Sequence, residues 1–184
     1  MTRVSSVITG ATGEHFAMAE LLRRGLVAAK APEGVPNFDI VITDIEGERL
    51  AAIQVKTRRD FKRGDKGWHM KAKHEKMSSD RMFYVFVDLG EDDASQVSYF
   101  VLPSKEVAYV CKRSHEYWLE MPSSNGKERG QTEMRRLLPK YELPAYAKKK
   151  SYVPSKQHQK FLKEYGSGWL EKYRNAWNLI EQKI

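Results

Sequence analysis

Apolar and polar positions follow two different spacings in the N-terminal third of the chain, and the change of spacing predicts a helix followed by three strands. After a short apolar start, Val4-Ser5-Ser6-Val7-Ile8, the run Thr9-Gly10-Ala11-Thr12-Gly13 reads as a turn opening a helix from about Thr12 to Arg24. Thr12 is the expected N-cap and Gly25 the expected stop. Extended segments follow at Leu26 to Lys30, Asn37 to Asp44 and Leu50 to Thr57. The turn formers Pro32-Glu33-Gly34-Val35-Pro36 and Glu46-Gly47 separate them. The unbroken apolar run Met82 to Leu89 predicts a strand buried on both faces at the centre of a sheet. Ser98 to Leu102 predicts a further strand, and Pro103 opens a helix ending near Met121. Pro122 to Thr132 reads as a polar loop, and Pro139 to Lys160 carries Lys, Tyr and Pro without a period. Leu162, Tyr165, Trp169, Tyr173, Ala176 and Ile180 keep helical spacing across the break Gly166-Ser167-Gly168, which predicts a broken helix packed on the core. The pattern has no internal repeat.

With 184 residues the chain is the size of one domain that builds its own core. Residues 1–121 are expected to form that core, and residues 122–184 a polar loop and helical extension packing on it. No apolar run approaches the roughly 18 residues that span a bilayer, and no targeting segment opens the chain, so a soluble cytoplasmic protein with no membrane partner is expected. The single cysteine, Cys111, forms no internal disulfide and has no ligand partners at zinc spacing. A net charge of +8 draws in polyanions, which makes nucleic acid the leading partner, although charge alone is equally consistent with solubility.

Specific chemistry enters with Asp39 in Phe38-Asp39-Ile40-Val41-Ile42, a strand context that disfavours aspartate and penalises an uncompensated charge. On the next strand a period of two puts Gln54 and Lys56 on one face, roughly 7 Å apart, with Ile53 and Val55 facing the other way. If the two strands form a hairpin, an acid, an amide oxygen and a cation converge. Such a group can hold a divalent metal through Asp39, Gln54 and the Val55 carbonyl, because hard cations favour oxygen ligands.

Phe38-Asp39 followed by Gln54-Val55-Lys56 resembles the D…(D/E/Q)-x-K core of the PD-(D/E)XK nucleases, and the helix and three strands agree with it. The resemblance covers about residues 10 to 90. It implies a restriction-endonuclease-like α/β fold with an αβββαβ core, a mixed central sheet flanked by helices, and here a C-terminal helical extension. In branches that include Holliday-junction resolvases a glutamate on the first helix completes the site, which points to Glu14. The implied activity is Mg2+- or Mn2+-dependent hydrolysis of phosphodiester bonds, of DNA above all, in restriction, repair or recombination. Glu14, Asp39, Gln54 and Lys56 are the implied catalytic residues, and a homodimer is implied for cutting both strands. Two positions depart from the pattern: the proline is displaced to Pro36, and the second acid is Gln54. Taken singly, Glu14 suits a first helical turn, Asp39 a paired turn acid and Lys56 a solvated strand edge; their joint order and spacing favour the site.

Two other functions compete. A nuclease-fold DNA-binding protein that has lost activity through Gln54 keeps the same surface. The segment Val7 to Gly13 also looks like the opening of a dinucleotide-binding unit, but Phe16 stands where a small residue is required and Glu14 would face the pyrophosphate. Between Arg58 and Lys76, cations interleave with aromatic and imidazole side chains. Arg58, Arg59, Lys62, Arg63, Trp68, His69, Lys71 and Lys73 are therefore candidate nucleic-acid contacts, cations for phosphates and rings for bases. A solvated loop, with Trp68-His69-Met70 as a short strand packed on the core, is the competing expectation. His15 and His69 are candidate proton carriers, though each is more often a surface histidine. Lys148-Lys149-Lys150 either tracks a backbone or is an ordinary solvated charge run.

Overall fold

The computed structural model describes residues 5–59, 67–90 and 95–184. Helix α1 spans Ser6–Arg23, and its cap is Ser5, whose hydroxyl accepts from the Ile8 amide at 3.2 Å. Thr12, the expected cap, lies inside the helix and donates its hydroxyl to the Ile8 carbonyl at 2.8 Å. Gly10 to Gly13 are thus ordinary helical turns, not a phosphate-binding loop. Because helix bonds engage these amides, the dinucleotide-binding interpretation fails. Gly25 ends the helix as expected: with φ at 81° it lets its own amide reach Leu22 and the Leu26 amide reach Leu21.

Strands β1 (Val27–Lys30), β2 (Ile40–Thr43), β3 (Leu50–Arg58), β5 (Met82–Asp88) and β6 (Ser98–Pro103) form a five-stranded sheet in the order β1-β2-β3-β5-β6. Every neighbouring pair is antiparallel except β3 and β5, which run parallel. The fold is thus the expected mixed α/β sheet flanked by helices. Where the αβββαβ order calls for a helix between the two parallel strands, the described residues of the crossover hold strand β4 (Trp68–Lys71) and a 3-10 turn, Ala72–Glu75. Helix α2 (Ser104–Glu120) follows β6.

Both faces of the sheet are covered, which is why β5 reads as a continuous apolar run. Phe83, Val85 and Val87 share one cluster with Ala17 and Leu21 of α1, and with Trp177 and Ile180 near the C-terminus. Tyr84 and Phe86 face a second cluster with Val107, Val110 and Cys111 of α2, and with Trp68 and Leu137. Strand β7 (Met134–Leu137), unforeseen in the polar stretch after α2, pairs antiparallel with β4 to make a two-stranded ribbon.

The C-terminal segment contributes to both clusters. Helices α3 (Ala145–Lys149) and α4 (Lys156–Glu164) are followed by Tyr165, Trp169 and Leu170 on the α2 face. The chain then runs along the free edge of β6, where Phe100 bridges Arg174 and the Asn175 amide donates to the Tyr99 carbonyl at 2.9 Å. It finishes as α5 (Asn178–Glu181) on the α1 face. The predicted broken helix is therefore several short turns that also blunt an edge strand.

Candidate active site

The β2–β3 hairpin sets the geometry. Strand β2 begins at Ile40, opposite Ile53, and just before it the Asp39 amide donates to the Ile53 carbonyl at 2.8 Å. Beyond that point β3 continues without a backbone partner on this side, and the carboxylate of Asp39 takes over: its Oδ2 accepts from the Val55 amide at 2.7 Å and from Nε2 of Gln54. Gln54 is buried, and it lies beside Tyr84 of β5 just as Lys56 lies beside Phe86. Asp39, Gln54 and Lys56 thus share the sheet face turned towards α2 and the β4–β7 ribbon, while Ile53 and Val55 pack towards α1.

Glu14 arrives from the other side of the sheet. At the position before it, a Cβ built on Gly13 would fall 1.9 Å from the Thr57 hydroxyl oxygen, so α1 lies closer to β3 than any side chain there would permit. That approach carries the Glu14 carboxylate to the end of β3. Its Oε2 meets Nζ of Lys30, on β1, at 2.9 Å, and its charge acts on both Asp39 and Lys56.

Electrostatics mark the cluster as short of positive charge on one side and crowded with it on the other. Burial raises the Asp39 carboxyl above its ordinary range and Glu14 adds to the effect, against the pull of the Val55 amide, Lys56 and Gln54. Burial likewise lowers Lys56, with Lys73 and Lys71 adding repulsion and Asp39 and Glu14 opposing. His74, on the 3-10 turn, is pushed down to about 4 by burial and then by Lys56, Lys73 and Lys71. Its Nδ1 lies 2.7 Å from the Tyr84 hydroxyl. A groove of ≈ 430 Å³ opens over this floor, lined by Lys56, His69, Met70, Lys71, Lys73, His74, Glu133 and Met134.

The donor set suits a hard divalent cation. Two carboxylates, Glu14 and Asp39, lie close enough to repel each other, and the Gln54 amide and Val55 carbonyl add neutral oxygens. Gln54 turns its nitrogen to Asp39, but rotation about its last bond exchanges nitrogen for oxygen. Among the described residues no group of three or more His, Cys, Asp or Glu side chains has metal-binding geometry, so any ion here depends on those amide and carbonyl oxygens.

Other candidates separate. Trp68 is buried, donates its indole N–H to the Val87 carbonyl at 3.0 Å and meets Phe86 and Phe100 edge-on, so it is a core residue and not a stacking platform. Arg58 is tied to Asp88 at 2.5 Å with its guanidinium 4.0 Å over the Trp68 ring, a structural seal. His69, Lys71 and Lys73 are exposed at the groove, and Lys73 also donates to the Pro36 carbonyl. Arg59 is half-buried, Lys62 and Arg63 lie outside the described residues, and His15 is exposed. Sequence reasoning did not single out His74 within the basic stretch and missed Tyr84, Glu133 and Met134; the competing expectation of a short strand at Trp68-His69-Met70 packed on the core is what the structure has, its sign being the buried residue at every second position.

No family model matches the chain, and no curated protein matches it. No helix among the described residues is long and apolar enough to cross a membrane. The fold is similar to the solved structure of a bacterial homing endonuclease, I-Ssp6803I, with a TM-score of 0.51 and 15% identity over 98% of this chain and 95% of that one. At this identity the likeness is one of fold alone.

Proposed function

We propose that the chain is a metal-dependent endonuclease of the PD-(D/E)XK type, in its Gln-x-Lys form, that hydrolyses phosphodiester bonds of DNA. The observation that carries this is the convergence of Asp39, Gln54 and Lys56 on one face of the β2–β3 hairpin, with Glu14 brought to the same strand end. Asp39 and Glu14 would hold Mg2+ or Mn2+ together with Gln54 and the Val55 carbonyl. When bound, that ion supplies an acidified water and neutralises charge at the phosphate.

The remaining work falls to this chain's own side chains. Lys56, half-buried and facing the groove, orients the attacking water and stabilises the negative charge that grows on the phosphate oxygens. The water gives up a proton to bulk solvent as its oxygen bonds to phosphorus, the bond from phosphorus to one sugar oxygen breaks, and that oxygen leaves with a proton drawn from solvent. Neutral His74, fixed to Tyr84, lines the groove beside Lys56 without adding a second buried charge. The fold shared with a homing endonuclease agrees with this chemistry.

One contact supports a second reading, a DNA-binding protein of nuclease fold that no longer cuts: Gln54 donates to the carboxylate that an ion would need. The test is cleavage of linear, single-stranded and branched DNA and RNA with Mg2+, Mn2+ or chelator. Metal-dependent cutting abolished by Asp39→Ala and by Lys56→Ala is expected. Cutting that survives both substitutions overturns the proposal, and tight binding without cutting in any metal favours the second reading.

A further inference from the structure

The β4–β7 ribbon alternates strictly between inward and outward positions. Inward, Trp68, Met70 and Leu137 belong to the core, and buried Arg135 pairs with Glu75 while donating to the Thr132 and Met134 carbonyls at 2.5 and 2.9 Å. Outward, His69 stands opposite Arg136 and Lys71 opposite Met134. His69 and Lys71 are exposed, Met134 is 54% exposed and Arg136 is half-buried. The inward residues anchor the ribbon on the α2-side core. Its outer face is basic and borders the groove that contains Lys56.

We infer that this ribbon enters the major groove of duplex DNA and reads base edges beside the phosphate presented to Lys56; the inference rests on the nuclease function proposed above. A two-stranded ribbon matches the width of that groove, roughly 12 Å. Alternate residues on one strand face are roughly 7 Å apart, about two base-pair steps, so His69 and Lys71 sample different pairs. The outward chemistry fits base edges: Arg136 and Lys71 suit guanine acceptors and Met134 suits a thymine methyl, while Glu133 at the ribbon end suits a cytosine amino group. Single-stranded partners have little to stack on, because the same alternation turns the ribbon's indole, Trp68, inward and leaves the small imidazole of His69 as the ribbon's outward ring.

The test is selection of the full-length chain on a randomised duplex library in chelator, so that binding is scored without cleavage, followed by Arg136→Ala, Arg136→Lys, Lys71→Ala and Met134→Ala on the selected sites. Each alanine variant is expected to relax preference at one or two base positions, on the order of tenfold, a larger change than the small loss that removing the Lys71 or Arg136 charge brings to non-selected duplex. Arg136→Lys keeps the charge and loses the forked donor, so it is expected to relax the same position as the alanine variant. An unchanged preference in all four variants, a uniform loss of affinity over every sequence, or tighter binding to single strands overturns the inference. Failure of the nuclease proposal is separately visible: a chain that selects sites through the ribbon and cuts nothing keeps the reader and loses the enzyme.

Discussion

Gly13 is the sharpest point at which packing and chemistry meet, and replacing it with alanine separates two opposing energies. In a helix interior alanine is favoured over glycine by about 1 kcal/mol. Against that, the new Cβ would fall 1.9 Å from the Thr57 hydroxyl oxygen, 2.7 Å from its methyl and 2.8 Å from its Cβ. Thr57 is short, β-branched and on an interior strand, so it has no flexible end to move, and α1 itself must lift; overpacking of this kind costs about 1–3 kcal/mol. The expected net effect runs from about zero to a loss of about 2 kcal/mol, a fall in Tm of up to about 8 °C for a chain of this size. Gly10 lies in the same helix with nothing within 4 Å of its would-be Cβ, so Gly10→Ala is the control and is expected to raise Tm by about 2–4 °C. Lifting α1 also withdraws Glu14, so metal-dependent cleavage is expected to fall in Gly13→Ala and not in Gly10→Ala. Adding Thr57→Ala removes the two nearest atoms and is expected to restore part of both stability and activity. Thermal unfolding of the four chains beside their cleavage rates decides the matter; a Gly13→Ala chain as stable as Gly10→Ala would refute the close approach and the account of Glu14 built on it.

Two further predictions follow from the same face of the sheet. His74 ordinarily titrates near 6.5 but is held down to about 4 in the fold, so between those values the unfolded chain takes a proton that the folded chain refuses. Stability from this residue is complete above pH 6.5 and is lost as the pH falls towards 4, by at most about 3 kcal/mol; denaturant unfolding across that window is expected to slope accordingly, and an equal slope in His74→Gln would count against it. Trp68→Phe keeps a ring but gives up the N–H bond to Val87 and part of two edge contacts, so a loss of about 1–3 kcal/mol is expected with DNA affinity of the folded chain unchanged; weaker DNA binding at full stability would return Trp68 to the surface.

The elements whose burial is one-sided or complete were legible from pattern alone: β5 as an unbroken apolar run, and β2 and β3 from the turn between them. The grouping of Asp39 with Gln54 and Lys56 was legible for the same reason, since a strand's period of two fixes facing without tertiary information. What misled was chemistry with two uses. Ser5 and Thr12 are both good caps, and only the helix's contact with β3 shows that glycines at 10 and 13 continue a helix instead of opening a turn. Cations between Arg58 and Lys76 read as a loop because strand β4 is short and its partner, β7, lies 63 residues further on at the facing position of Met134, a pairing that no local pattern carries. Arg135 shows the same limit from the other side: a buried arginine is legible only with Glu75, its partner from another element.

These two lessons bear on the position that departs most from the nuclease pattern. In the proposed reading Gln54 stands where the nuclease pattern has an acid, and judged on the hairpin alone the site has one carboxylate, Asp39, beside one lysine. Helix α1 changes that balance. Because glycine at position 13 lets the helix settle on Thr57, Glu14 brings a second carboxylate near enough to raise Asp39, and with it the repulsion that a divalent cation relieves. Lys30 holds Glu14 from the solvent side and Lys56 balances the pair from the groove. The charge missing from the strand is thus supplied across the sheet. The proposed activity depends on a glycine with no chemistry of its own as much as on Gln54.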